Sequence, residues 1–217
     1  MNAFANAFLL SYAALFPIVN PIGSAPLFLG LTQFTTDKER HALAWRIAIN
    51  SFFLLLGSLF VGSYVLEFFG ISLPVVRIGG GLVVTAFGWK LLNSDARPDG
   101  DHAVASTVST IPDSFYPLTM PLTVGPGSIS VAITLGSQRP KFVDLAHLAL
   151  LEGAAITGIL AIVATVYLCY RFAEGTGAAL GTTGTNVVVR LSAFIMLCIG
   201  IQFMWSGFSE LTALSHG

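Results

Sequence analysis

Apolar residues gather in six long stretches, at about 3–34, 38–69, 73–92, 113–137, 140–172 and 186–211, with short polar or turn-forming intervals between them. Each stretch reads as a helical segment on the scale of the roughly 20 residues needed to cross a bilayer. The first is interrupted by FPIVNPIGSAP, Phe16 to Pro26. Pro17, Pro21 and Pro26 lack the amide that closes a helical turn, so the carbonyls of Ala13, Pro17 and Ile22 are expected to lose their usual partners. Inside a membrane such groups are tolerated only against protein or a wet cavity. The fourth stretch repeats the pattern in MPLTVGPGSIS, Met120 to Ser130, where Pro17 pairs with Pro121, Pro21 with Pro126, Gly23 with Gly127 and Ser24 with Ser128. Interrupted apolar helices in matching positions of two halves point to a transporter's binding site.

The intervals refine this outline. Thr36 followed by Glu39 fits a capping box that opens the second helix. On that helix Gly57, Ser58, Gly62 and Ser63 recur at the spacing that close helix packing favours, and Gly79, Gly80 and Gly81 do so on the third. The polar run 94–112 reads as a linker, and the Gly- and Thr-rich run from Glu174 to Asn186 as a turn. NVVVRL before the sixth segment echoes PVVRIG in the third, which pairs Arg190 with Arg77. The predicted fold is therefore all-α: a six-span polytopic protein made of two three-helix repeats, 1–93 and 113–217, joined by a cytoplasmic linker at 94–112. Three crossings per unit make the second copy enter from the opposite face, so the repeats are inverted, each with a broken first helix.

Composition agrees: 54% of the 217 residues are hydrophobic, 10% are charged, and the formal net charge is -1, which leaves no basic field for nucleic acid. Lys38, Arg40, Arg46, Lys90, Arg97, Arg171 and Arg190 fall on one side of the predicted topology and only Arg77, Arg139 and Lys141 on the other. The positive-inside rule then puts both termini outside, in the periplasm of an inner-membrane protein. Trp45 and Trp89 fall toward the inner rim and Trp205 toward the outer one. No basic residue precedes the first apolar run, which reads as a retained span rather than a cleaved signal. Cys169 and Cys198, both within apolar segments, read as small buried side chains.

The breaks carry the candidate chemistry. A helix restarting after Pro21 is expected to present the amides of Gly23, Ser24 and Ala25, and one restarting after Gly125 and Pro126 those of Gly127, Ser128 and Ile129. Such ends attract carboxylates. Inverted repeats aim the two ends at each other, so a zwitterion could set its carboxylate on one and its ammonium near carbonyls such as those of Pro17 or Leu122. Glycine and serine leave room for a small side chain only, which favours a small neutral amino acid. Asn20 and Ser24 either hydrogen-bond substrate or a sodium ion, or satisfy the broken backbone locally. Glu152 lies roughly 10 Å from the middle of its run and is a candidate proton carrier, or a structural partner of His147. Gln202 and Thr85, near mid-span, are expected to bond between helices. The spans hold no pattern suited to catalysis, since His147 and Glu152 do not form HExxH, and no metal or cofactor is expected.

NPIGSAPLFL, PLTVGPGSIS and the RIGGG run together resemble the MarC family, also called UPF0056, along essentially the whole chain. The resemblance implies a six-span inner-membrane protein and, through a member described as a carrier of glycine and alanine, transport of small neutral amino acids. It extends distantly to the LysE exporter superfamily. Asn20, Pro21, Gly23, Gly125, Pro126 and Gly127 are its motif positions here, whereas Glu152 belongs to no motif of the family. The competing readings are a channel, an exporter or flippase of another small or lipid-linked solute, which calls for a basic mid-membrane residue, and a non-transporting structural or signalling subunit.

Overall fold

The computed structural model describes residues 3–32, 34–93, 113–116, 118–137 and 145–215, which are helical apart from connecting turns. The elements are α1 (Ala3–Val19), α2 (Pro21–Leu31), α3 (Asp37–Phe68), α4 (Leu73–Asn93), a π-helical turn (Leu118–Thr123), α5 (Pro126–Ser137), α6 (Leu145–Arg171) and α7 (Ala173–Ser215). The predicted linker at 94–112, with Arg97, lies outside the described residues, as do Arg139, Lys141 and the side chains of Pro121 and His147.

Among the described residues, four stretches are long and apolar enough to cross a membrane: Ala3–Leu31, Asp37–Phe68, Leu148–Arg171 and Asn186–Ala213. The other two expected spans are not among these four. α4 carries Arg77, Lys90 and four glycines within its 21 residues, and α5 has only 12 residues after the second break. Large apolar side chains such as Leu10, Phe53, Tyr64, Phe68, Trp89 and Trp205 cover the outside, a surface that water would not tolerate at this extent.

Local sequence accounts for most element boundaries. Thr36 Oγ1 accepts the Glu39 amide and Glu39 Oε2 accepts the Thr36 amide at 2.8 Å, so the capping box opens α3 as expected. Gly70 closes the turn after α3 with φ +65°, a conformation that suits a residue without Cβ. Three expectations need correction. Pro17 and Pro26 sit inside α1 and α2, so the chain leaves helical geometry only at Asn20–Pro21. The Gly- and Thr-rich run from Glu174 to Asn186 is helical with a single departure at Gly181, at φ 64° and ψ 179°. Cys169 is half-buried and Cys198 is exposed on the apolar exterior, and both are free thiols.

Packing is organised by close backbone approach. α4 and α7 run antiparallel, with Pro74 opposite Gly207, Gly81 opposite Gly200 and Gly88 opposite Leu197. A Cβ on Gly81 would come within 2.6 Å of the Gly200 carbonyl, and one on Gly88 within 2.8 Å of the Leu197 amide, so these positions must be glycine for the helices to meet. α3 packs on α5 and α6, α1 on α6, and α2 on both α6 and α7. Thr85 and Gln202 bond within their own helices, to the Gly81 carbonyl and the Ser206 hydroxyl, rather than between helices as expected. At one end of the bundle Arg40, only 8% exposed, pairs with Glu174 at 2.9 Å and donates to the Thr32 carbonyl at 3.2 Å. At the end of α7 remote from Glu174, Arg77 pairs with Glu210.

Candidate functional site

At the first break Asn20 adopts left-handed backbone geometry, φ 46° and ψ 58°, and acts as N-cap of α2, with Pro21 in the first helical position, where a missing amide does no harm. Its side-chain oxygen accepts the Gly23 amide at 3.2 Å, and its carbonyl accepts both the Ser24 amide and the Ser24 hydroxyl at 3.0 Å. Two of the amides expected to be free are therefore occupied by Asn20 itself. Asparagine is among the few residues that enter this region at modest strain, and its short amide reaches back to the following turn.

The second break is built differently. Met120 leaves helical geometry at φ −117° and ψ 121° inside the π-helical turn. Hydroxyls and longer-range amides satisfy the carbonyls around it: Thr119 Oγ1 donates to the Ser114 carbonyl at 2.6 Å, Thr123 Oγ1 to the Leu118 carbonyl at 2.8 Å, and the Val124 amide to the Thr119 carbonyl at 2.8 Å. α5 then starts at Pro126 with Gly125 before it, whose carbonyl accepts the Ser128 hydroxyl at 2.9 Å and the Ile129 amide at 3.1 Å. Among the described residues no side chain caps the Gly127 or Ser128 amide. Both residues are buried, and a Cβ on Gly127 would meet Val84 of α4 and Ile18 of α1.

The two breaks are neighbours in the bundle. A cavity of about 10 Å³ lies at the first, lined by Asn20, Gly23, Ser24 and Leu27, by Leu122 from the second break, and by Phe87, Val189, Ser192 and Met196. That is room for no more than one water. A Cβ on Gly23 would collide with the Ser192 side chain and with Asn20 Nδ2, so glycine here lets two polar side chains converge. α6 spans both breaks: the Tyr170 ring stacks on Phe28 with centroids 4.4 Å apart, and its hydroxyl meets Thr123 Oγ1 at 2.7 Å. Ser130 of α5 donates to the Val76 carbonyl of α4 at 3.2 Å.

The predicted residues thus divide. Asn20, Gly23 and Ser24 line the cavity and Pro21 starts the helix beneath them, while Gly125, Pro126, Gly127 and Ser128 form the uncapped end covered by Val84 and Ile18. Glu152 lies partly buried in the second turn of α6 and does not line the cavity. Sequence reasoning missed Ser192, Thr123 and Tyr170. Aligning Arg190 with Arg77 sets Ser192 opposite Gly79 and would have drawn notice to it, whereas Tyr170, beside Arg171 at a segment end, reads as an interfacial aromatic. No His, Cys, Asp and Glu cluster suited to a metal occurs among the described residues.

Comparison with known proteins follows from this geometry. A family model described as MarC family integral membrane protein matches residues 5–212. The chain is 30% identical over 201 residues to UPF0056 membrane protein YvbG of Bacillus subtilis strain 168, covering 90% of this chain and 91% of that protein. It is 28% identical over 213 residues to UPF0056 inner membrane protein MarC of Salmonella typhimurium, covering 95% and 96%. The relative of that name in Citrobacter koseri is likewise 28% identical over 213 residues. No solved structure matches the chain.

Proposed function

Because this chain belongs to the MarC family of integral membrane proteins, we propose that it is a secondary transporter of small neutral amino acids such as glycine or alanine, coupled to a proton or a sodium ion. The observation that carries this reading is the meeting of two helix breaks around one small cavity, whose largely apolar wall includes Asn20, Ser24 and Ser192 together with Leu122 of the other break. Broken helices in lipid are retained where they face a solute path. The uncapped amides of Gly127 and Ser128 suit a carboxylate, and the carbonyl-rich first break suits an ammonium. The glycines, each crowded by a neighbouring side chain, suit a substrate with little side chain of its own. No Lys or Arg lines the cavity, which speaks against a phosphate-bearing or lipid-linked solute.

Two inverted repeats, 1–93 and 113–217 about the linker at 94–112, are part of this proposal. The antiparallel α4–α7 pair supports it, because helices related by a two-fold axis in the membrane plane must oppose one another. So do the contacts of α2 with α7 and of α5 with α4, which such an axis would exchange. Inner-membrane residence is inferred from the names of the Salmonella and Citrobacter relatives, with both termini periplasmic by the charge count. The cavity has room for no more than one water, so transport requires the α7 side chains that line it, and Val84 and Ile18 over the second helix end, to withdraw in alternation. Purified protein in liposomes is expected to take up labelled glycine or alanine saturably, and a proton or sodium gradient is expected to drive accumulation. Absence of saturable uptake or exchange for every small neutral amino acid would remove the reading.

A further inference from the structure

Apolar side chains on the outside of this bundle are what lipid asks for; a carboxamide is not. Gln202 is exposed on α7 about three helical turns, or about 16 Å, before the end of its apolar span at Ala213, which sets it inside the hydrocarbon. Its Nε2 has one contact, at 3.4 Å from the Ser206 hydroxyl, whose own proton goes to the Gln202 carbonyl at 2.8 Å. That contact is long for a hydrogen bond, and among the described residues nothing donates to the side-chain oxygen of Gln202. Leaving such a group to acyl chains costs free energy that a neighbouring helix would recover.

The positions around Gln202 are spaced as a seam. Leu191, Ile195, Cys198, Gln202, Trp205 and Ser209 follow one another in alternating steps of four and three, and every one of them is exposed. These are the a and d positions of a heptad, which line up on one side of a helix. The other side of α7 is already occupied: Ala193, Gly200 and Gly207, again one heptad apart, are buried against α4. Val189, Ser192 and Met196, which line the cavity, lie off the seam.

We propose that this exposed face of α7 is the interface with a second copy of the chain, the two helices running parallel about a two-fold axis along the membrane normal. Copies inserted in the same sense bring each seam residue opposite itself, so the occupant must match Gln202 with Gln202. A carboxamide can do this, because it carries a donor and an acceptor and two of them bond to each other, whereas a charged group could not pair with its own image. A single amide at an a position among apolar neighbours is also the device that fixes register and oligomeric state in paired helices. Acyl chains, the other cover for this face, offer the amide no partner. Because the cavity lies off the seam, each copy keeps a complete site of its own.

The test uses the full chain with Cys169→Ser in lipid vesicles, where Cys198 is the seam position next to Gln202. Copper phenanthroline with dissolved oxygen is expected to join Cys198 to the same residue of a second copy at least tenfold faster than it joins a cysteine placed by Phe53→Cys, also exposed and near the middle of α3, in a chain whose two native cysteines are serine. Gln202→Leu, which keeps the bulk and removes the amide, is expected to slow the Cys198 reaction at least fivefold, and Gln202→Asn to slow it less. Counting photobleaching steps on chains that carry one dye each, diluted into excess lipid, is expected to give two steps for the parent and one for Gln202→Leu. Equal cross-linking at positions 198 and 53, or a Gln202→Leu chain that cross-links as fast as the parent, overturns the inference. So does one-step bleaching of the parent, which would mean that lipid alone covers this face.

Discussion

The two breaks solve one problem by opposite means. At the first, a residue with a side chain occupies the strained, left-handed position and turns its amide group back to cap the restarting helix. At the second, a glycine precedes the restart without positive φ, and it has no side chain to turn back on the new helix. Asn20 is present for what it donates and accepts; Gly125 is present for what it leaves open. One break closes its own polar groups, and the other leaves two buried amides for something else. A left-handed non-glycine residue costs about 1–2 kcal/mol, which a cap worth about 1 kcal/mol largely offsets.

The comparison can be broken most severely at the prolines. Replacing Pro21 and Pro126 together with alanine removes the fixed φ that starts α2 and α5, and uptake is expected to fall at least a hundredfold while membrane insertion and detergent-extracted yield stay near normal. Uptake near the unaltered level would show that neither proline start matters to transport. Next in size is stability at Asn20. Asn20→Ala keeps the strain and loses the cap, for an expected loss of about 1–3 kcal/mol, whereas Asn20→Gly relieves the strain and should fall within about 1 kcal/mol of the parent. Thermal unfolding in detergent ranks the two; an alanine variant as stable as the glycine variant would remove the capping argument.

A subtler change transfers the first solution to the second site. Gly125→Asn offers a side-chain oxygen to the Gly127 amide, in competition with a substrate carboxylate, and is expected to raise KM for glycine about tenfold with little effect on the maximal rate. An unchanged KM would free the second helix end from any role in binding. The smallest effect is expected at Glu152, which does not line the cavity. Glu152→Gln should leave uptake at fixed pH within about threefold and flatten its pH dependence if that carboxylate carries the coupled proton. A parallel pH profile would return it to a packing role.

How far the sequence disclosed these features depends on how local they are. Pro21 with Asn20 marked the first break, and Thr36 with Glu39 marked the start of α3, because caps and missing amides act within one turn. The same logic over-read Pro17 and Pro26, which α1 and α2 absorb. It placed the second break within Met120 to Ser130, where the chain does leave helical geometry at Met120 and restart at Pro126, but it did not show that threonine hydroxyls take up the carbonyls between. It also could not show that Asn20 would consume the amides it was expected to expose, since that depends on a backbone angle and not on composition. Tyr170 and Ser192 were hidden for a different reason: their roles come from helices distant in the chain, and nothing in their own neighbourhoods signals a partner.

Gly81 and Gly88 on α4 meet α7 at Gly200 and Leu197 backbone against backbone, with Thr85 reaching over Gly200 and Met204 over Gly81. A joint of that kind behaves as a bearing: van der Waals attraction holds its faces together, and the backbones themselves form most of the rolling surface. Tilting of one half of the bundle against the other would therefore pivot at this seam, and a single leucine set into it at Gly81 would jam the pivot while both breaks remained intact.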